Sequence, residues 1–427
     1  MRNLALALLV TTSLSAQSLE ERVAREIPKL LDTYKTLHGM PELSTQEAKT
    51  SSFLATRLRE LGYEVTERVG KYRDPNATCY GVVAILRNGK GPMVLVRSDM
   101  DALPVTEQTG LPYASQNSGV MHACGHDVHM TTLLGTAKLL ADLKSQWHGT
   151  VMLVGQPAEE IVRGAEGMLA DGLYERFGKP DFAIALHDWA TLEAGKIGYR
   201  PGQFMAATDS INLTIRGVGG HGASPQSTKD PVVMAAETIV ALQTIVSRER
   251  SPLDPVVVTV GKIEGGTKRN IIPDEVRLFL TVRTMSPTVR QRVVESIQRI
   301  PKGIALANGV PEDRMPIYER LDHESVASTF NDPALTDRLA KAIAREIGTD
   351  NVVLIDPAMV SEDFGLFGTT DQIPTAMLAL GAADPAALKA GAQPGLHSSK
   401  FAPVDPALVL RTGVRGAVAG VLELLAR

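Results

Sequence analysis

Three things are scarce in this chain. It has two cysteines in 427 residues, no run of Lys or Arg long enough to neutralise a phosphate backbone, and no late apolar run of membrane-spanning length. With a formal net charge of -4 and both signs mixed along the chain, nucleic acid drops out of the expected partners. Without a long apolar run no membrane span is expected. No cysteine follows the N-terminal apolar stretch, so no lipid anchor is expected there. Internal repeats and low-complexity segments are also missing, which excludes a repeat array. The two cysteines, Cys79 and Cys124, have two readings: a disulfide is the default for an even pair in an oxidising compartment, and Cys124 also fits a metal site.

What is present is enough apolar sequence, 44% of the chain, for a full core and more than one domain. Met1-Arg2-Asn3, the run Leu4 to Val10 and the small residues to Ala16 read as a signal peptide over residues 1–16, which predicts export to the periplasm or medium. A helix is expected over Leu19 to Leu37, and a second opens with Ser44-Thr45-Gln46-Glu47, which has the form of a capping box. Strands at Cys79–Leu86, Met93–Val96, Thr150–Val154 and Phe182–Leu186 then alternate with a helix from about Asp127 to Leu143, predicting an α/β domain with a mainly parallel sheet flanked by helices. From about residue 208 the order becomes β-α-β-β-α-β, that of a ferredoxin-like unit. The α/β pattern resumes with helix 333–347. The simplest organisation assigns 19–206 and 323–427 to one domain and 207–322 to an insertion.

Three of the nine histidines crowd into Met121-His122-Ala123-Cys124-Gly125-His126-Asp127-Val128-His129 beside Cys124. Packing gives no reason for such a cluster, whereas Zn²⁺ and its neighbours take thiolate, imidazole and carboxylate. Gly125 lets the backbone turn so that Cys124 and His126 reach one centre; His122 and His129 are weaker candidates. Glu159 and Glu160 follow the strand Thr150–Val154, at the sheet edge where ligands bind. Adjacent residues there point different ways, so one can bind metal while the other faces substrate as general base. His187, directly after an apolar strand, and His397 complete a set of five with Cys124, His126 and Glu160, which suits two ions better than one. Asp99 and Asp101 follow the strand Met93–Val96; Asp101 is expected to orient a ligating histidine through its other ring nitrogen.

These residues resemble the M20 metallopeptidases, in the branch of aminoacylases, hippurate hydrolases and auxin-conjugate hydrolases. The likeness runs from about residue 25 to the C-terminus. It rests on Arg97-Ser98-Asp99-Met100-Asp101-Ala102-Leu103-Pro104, the Cys124 segment, Gln156-Pro157-Ala158-Glu159-Glu160, Gly219-Gly220-His221, Asn270-Ile271-Ile272-Pro273, Ser361-Glu362-Asp363-Phe364 and Leu396-His397-Ser398. The resemblance implies a zinc-peptidase-like catalytic domain with an inserted lid that makes a homodimer. Cys124, His126, Glu160, His187 and His397 would hold two divalent ions, Zn or Mn, with Co or Ni as substitutes in vitro, and Cys124 would bridge them. Glu159 would be the general base, His221 would reach the partner subunit's site to stabilise the oxyanion, and Asn270 would hold substrate. The implied reaction is hydrolysis of the amide of an N-acyl amino acid, with a dipeptide as the nearest alternative substrate. Val128, Asp188 and Gln226 depart from the branch's usual residues; none removes a ligand.

Two readings from other classes compete. A thiol hydrolase using Cys124 and a histidine leaves Glu159, Glu160, His187 and His397 without a task. A non-catalytic binding protein sits poorly with the retained Glu159.

Overall fold

The computed structural model describes residues 17–369 and 371–426; the leader expected over residues 1–16 lies outside them. An eight-stranded sheet runs in the order Glu64–Val69, Gly81–Asn88, Gly149–Gln156, Met93–Asp99, Phe182–Glu193, Thr375–Ala383, Ile197–Tyr199 and Val352–Leu354. Its centre is parallel, from Gly149–Gln156 through Met93–Asp99 and Phe182–Glu193 to Thr375–Ala383. The two strands before that centre pair antiparallel. The central strands are buried on both faces, which is why they read as continuous apolar runs and not as alternation. Helices Leu19–Gly39, His126–Asp142 and Pro406–Leu424 cover one face around Tyr34, Leu37, Val96 and Trp147. The other face is closed by Ala165, Met168, Phe364 and Phe367.

A second sheet, antiparallel throughout, takes the order Val256–Gly265, Glu275–Thr284, Ala207–Arg216 and Ile317–Arg320. Burial alternates along Ala207–Arg216 and Glu275–Thr284, so one face is packed, against helices Pro231–Thr244 and Pro287–Ala307, and the other is open. Its strand and helix order is the β-α-β-β-α-β read from the sequence. The stretch Pro231–Glu249 is long and apolar enough to span a bilayer by length and composition, contrary to expectation; here Met234, Ala235 and Leu242 pack into the core of this sheet.

Three local expectations are corrected. The capping box at Ser44–Glu47 does not form: the helix is Ala48–Glu60 and has no side-chain cap. Its residues are diverted to the neighbouring loops, Ser44 Oγ donating to Asp101 and the buried Glu47 carboxylate accepting from Ala158 N–H. His187 does not follow a strand but sits inside Phe182–Glu193, which extends well past Leu186 because Thr375–Ala383 pairs with it along that length. Cys79, expected to open the strand Cys79–Leu86, instead precedes the strand Gly81–Asn88, its thiol donating to Val69 O; of the two readings of the cysteines the disulfide fails, since Cys79 and Cys124 are both free and buried.

Candidate metal centre

The C-terminal ends of the parallel strands bring the acidic elements together, and the Cys124 segment closes over them. Gly125, at φ 87°, turns the chain into helix His126–Asp142, and a Cβ there would meet Asp188 Oδ2 at 2.5 Å, so only glycine fits. Cys124 Sγ lies 3.6 Å from His187 Nε2. Cys124, His126 and Glu160 offer ligand atoms within 4.8 Å of one another, as do Asp99, His126, His129 and His187. His397 Nε2 stands 3.4 Å from Glu160 Oε2. The backbone of His397 is left-handed (φ 65°) and its N–H donates to Ala123 O at 2.8 Å, pinning this distant loop to the cysteine segment. The five residues taken from the sequence as ligand candidates thus lie together, His126 being common to both groups, His187 next to Cys124 and His397 next to Glu160.

Hydrogen bonds fix which ring nitrogens are free. His126 Nδ1 is 2.7 Å from Asp101 O and His187 Nδ1 is 2.8 Å from Asp188 O. A carbonyl only accepts, so both Nδ1 atoms carry the proton and both Nε2 atoms offer a lone pair to the cluster. His129 is not available: Nδ1 lies 2.6 Å from Asp99 Oδ1, and Nε2 accepts from Asp188 N–H at 2.7 Å. His122 is buried, outside these groups and, among the described residues, without a hydrogen-bond partner at either nitrogen. Burial holds it down at about 4.

Asp101 orients His126, but through its carbonyl; its carboxylate is 3.6 Å from the ring. That carboxylate accepts instead from Glu159 N–H and Glu160 N–H, each at 3.0 Å, and from Ser44 Oγ at 2.6 Å. It therefore sets the position of both glutamates. Arg97, fully buried, donates to Gln156 Oε1 (2.8 Å), Asp99 Oδ2 (2.6 Å) and Glu362 Oε1 (2.7 Å), with Asp363 Oδ1 at 3.4 Å. Glu159, Glu362 and Asp363 form a third acidic group. Arg97, Glu362 and Asp363 stand in the motifs but have no task that the sequence reveals; a lone basic residue inside a buried strand is the one signal it offers.

The electrostatics call for cations. Burial, with Glu362, Glu160 and Asp363 nearby, pushes the Glu159 carboxyl well above its usual range, and burial pushes Glu160 to about 7. Burial and the neighbours Glu160, Glu159 and Asp99 also drive the Cys124 thiol far up, while burial and His129 drive the His187 imidazole far down. A thiol and a neutral imidazole are the opposite of the ion pair that a thiol hydrolase needs. Among the described residues, His126 Nε2 and Glu160 Oε1 are buried with no hydrogen-bond partner. Orphaned donor atoms among thiol, imidazole and carboxylate in a buried, acid-rich cluster fit divalent ions.

A cleft of about 460 Å³ opens on Cys124, Glu159, Glu160, His187 and His397. Its lining includes Arg283, from strand Glu275–Thr284 of the second sheet, which donates to Ser361 Oγ at 2.5 Å. Among the described residues Arg283 is the only Lys or Arg lining it. Nothing in its local sequence marks it. His221 and Asn270 lie elsewhere: they are exposed neighbours on the short ladder Gly220–His221 with Ile271–Ile272, joined by Gly222 N–H to Asn270 O, and neither lines the cleft of its own chain.

Comparison with known proteins agrees with this arrangement. Hippurate hydrolase of Campylobacter jejuni is 39% identical over 80% of this chain and 87% of its own. N-acetyldiaminopimelate deacetylase of Limosilactobacillus reuteri is 35% identical over 92% and 97%. Among solved structures, the Bacillus subtilis YXEP protein, described as a dinuclear metal binding peptidase from the M20 family, superposes with a TM-score of 0.77 at 29% identity, covering 94% of this chain and 99% of that one. The description of peptidase family M20/M25/M40 matches residues 95–404, from the strand that carries Arg97 and Asp99 to just beyond His397, and with that span the chain belongs to this family.

Proposed function

We propose that this chain is a metal-dependent amidohydrolase that cleaves the amide bond of N-acyl amino acids. The observation that carries the reading is the union, in one cleft, of the thiol, imidazole and carboxylate cluster, the protonatable Glu159 and Arg283, the only Lys or Arg among the described residues that line it. The names of the hippurate hydrolase and N-acetyldiaminopimelate deacetylase relatives support it.

Cys124, His126, Glu160, His187 and His397 would hold a pair of divalent ions. When bound, such ions lower the pKa of water to about 7 and polarise the scissile carbonyl. Thiolate and imidazole donors favour Zn²⁺, and the carboxylate leaves Mn²⁺ as the alternative. Glu159, raised by burial and held by its N–H on Asp101, takes a proton from the attacking water and hands it to the leaving amine. Arg283 anchors the free carboxylate of the amino acid, and that contact separates this substrate from a simple amide.

His221 and Asn270 have no role in the cleft of their own chain. We assign them to the cleft of a second subunit, in a homodimer built through the unit that spans 207–322, where His221 stabilises the oxyanion and Asn270 holds substrate. The leader read at residues 1–16 supports export to the periplasm or medium.

The test is a panel of N-acetyl and N-benzoyl amino acids and dipeptides, offered to metal-reconstituted protein with and without chelator. Chelator-sensitive cleavage of the acyl amino acids is the expected result. Turnover of dipeptides alone, or turnover that survives the chelator, would overturn the reading.

A further inference from the structure

A second cavity of about 590 Å³ adjoins the cleft and shares Trp189, Val360 and Leu396 with it as lining residues. We propose that this second chamber is an acyl-chain subsite, and that the enzyme prefers amino acids acylated with long apolar groups over N-acetyl amino acids. The inference rests on the amidohydrolase reading above.

The strand Phe182–Glu193 supplies the direction. His187 and Trp189 are two residues apart within it and so project from the same face. A substrate whose carbonyl lies at His187 therefore has the Trp189 indole next along the strand, and that indole is fixed by stacking on Phe204 at 5.5 Å. Past it the walls are Leu192, Leu354, Ile355 and Pro357. Leu354 and Val360 are 61% and 53% exposed, large apolar surface left open to solvent at the edge of a catalytic cleft.

Charge decides which end of the substrate enters. Arg283 lines the first cavity and not the second, while the second has Asp356 as its only charged lining residue among those described. The second cavity has no basic lining residue among those described, and its Asp356 is fully exposed and 4.0 Å from Arg200, so a free carboxylate meets a cation only at Arg283. The carboxylate end of an N-acyl amino acid therefore goes to Arg283, and the uncharged acyl end goes past Trp189. The chamber is preformed: Ile355 N–H bonds Tyr199 O, Ala358 N–H bonds Phe204 O, and Ala206 N–H bonds Ala358 O and Val360 O. A preformed apolar wall adds binding without an ordering cost.

The experiment is the kcat/KM of metal-loaded enzyme on the N-acetyl, N-butanoyl and N-octanoyl derivatives of one amino acid, for wild type and Leu354→Glu. Leu354 is exposed and touches no reacting group, so the variant folds. Wild type is expected to rise roughly fourfold per methylene, as burial of each CH₂ implies, and Leu354→Glu to lower the octanoyl value at least about tenfold while leaving the acetyl value within about twofold. Equal rates along the wild-type series overturn the proposal, and so does a rising series that Leu354→Glu leaves untouched or lowers equally throughout. Cleavage of no acyl amino acid at all brings down the amidohydrolase reading, and the subsite with it.

Discussion

Asp101→Asn tests the architecture of the centre at one atom. The Asp101 carboxylate accepts from two buried backbone N–H groups, one oxygen serving Glu159 and the other Glu160, and the second oxygen also takes the Ser44 hydroxyl. Asparagine keeps the size but has one oxygen and one NH₂. Whichever way the amide is turned, one glutamate N–H faces another donor. Ser44 can rotate to accept, but the backbone N–H cannot. A buried N–H left without an acceptor costs about 1–3 kcal/mol, and the donor-donor contact places the expected loss in the upper half of that range. The same change loosens one of the two glutamates, so metal affinity is expected to fall about 10–100-fold, the usual effect of removing a group that orients a ligand. Urea denaturation of the metal-free protein reads the first quantity and calorimetric titration with Zn²⁺ the second. A midpoint and a Kd both within error of wild type would refute the claim that this carboxylate holds the glutamates in place.

Two further outcomes follow from the same geometry. Glu159→Gln is expected to lower kcat about 10²–10⁴-fold with two equivalents of metal still bound by elemental analysis; loss of metal in parallel with activity would make Glu159 a ligand and not a base. His38 is buried between Asp127 (2.7 Å) and Glu107 (3.2 Å); burial opposes its charge, but these two carboxylates outweigh it and raise its pKa from 6.5 to about 9. A pKa raised by folding stabilises the protein fully below about 6.5 and is lost as pH climbs through about 9, a difference of about 3 kcal/mol. Metal-free wild type should therefore lose that much more stability than His38→Gln between pH 6.5 and 9.5 in urea melts, and equal slopes for the two proteins would count against the buried ion pair.

Much of the site was legible because its ligands carry chemistry that packing does not ask for. Cys124, His126, Glu159 and Glu160 are costly to bury; the crowding of histidines in one segment marked the first two, the end of an apolar strand marked the glutamates, and all of them lie together in the structure. His187 was found for the same reason even though its strand runs on past it. Ser44 and Glu47 were misread because a capping box is a local pattern, and local patterns yield when a buried acceptor or donor elsewhere offers a better partner; Asp101 and Ala158 N–H did so. His129 had the right residue type, but the bonds to Asp99 and to Asp188 N–H that occupy both its nitrogens connect residues tens of positions apart.

By itself the sequence determined the main strand and helix order, the parallel core, the β-α-β-β-α-β unit and a set of candidate ligand side chains, since each depends on periodicity or on residue chemistry within a short window. Only the tertiary structure decided which nitrogen of each histidine is free, that Arg97 neutralises Asp99 and Glu362, that Arg283 of the second sheet faces the cleft, and that His221 and Asn270 do not line it in the same chain. Those are facts of distance between segments far apart in the chain. Local propensity carries no information about them, because they are set by how two sheets and their loops pack.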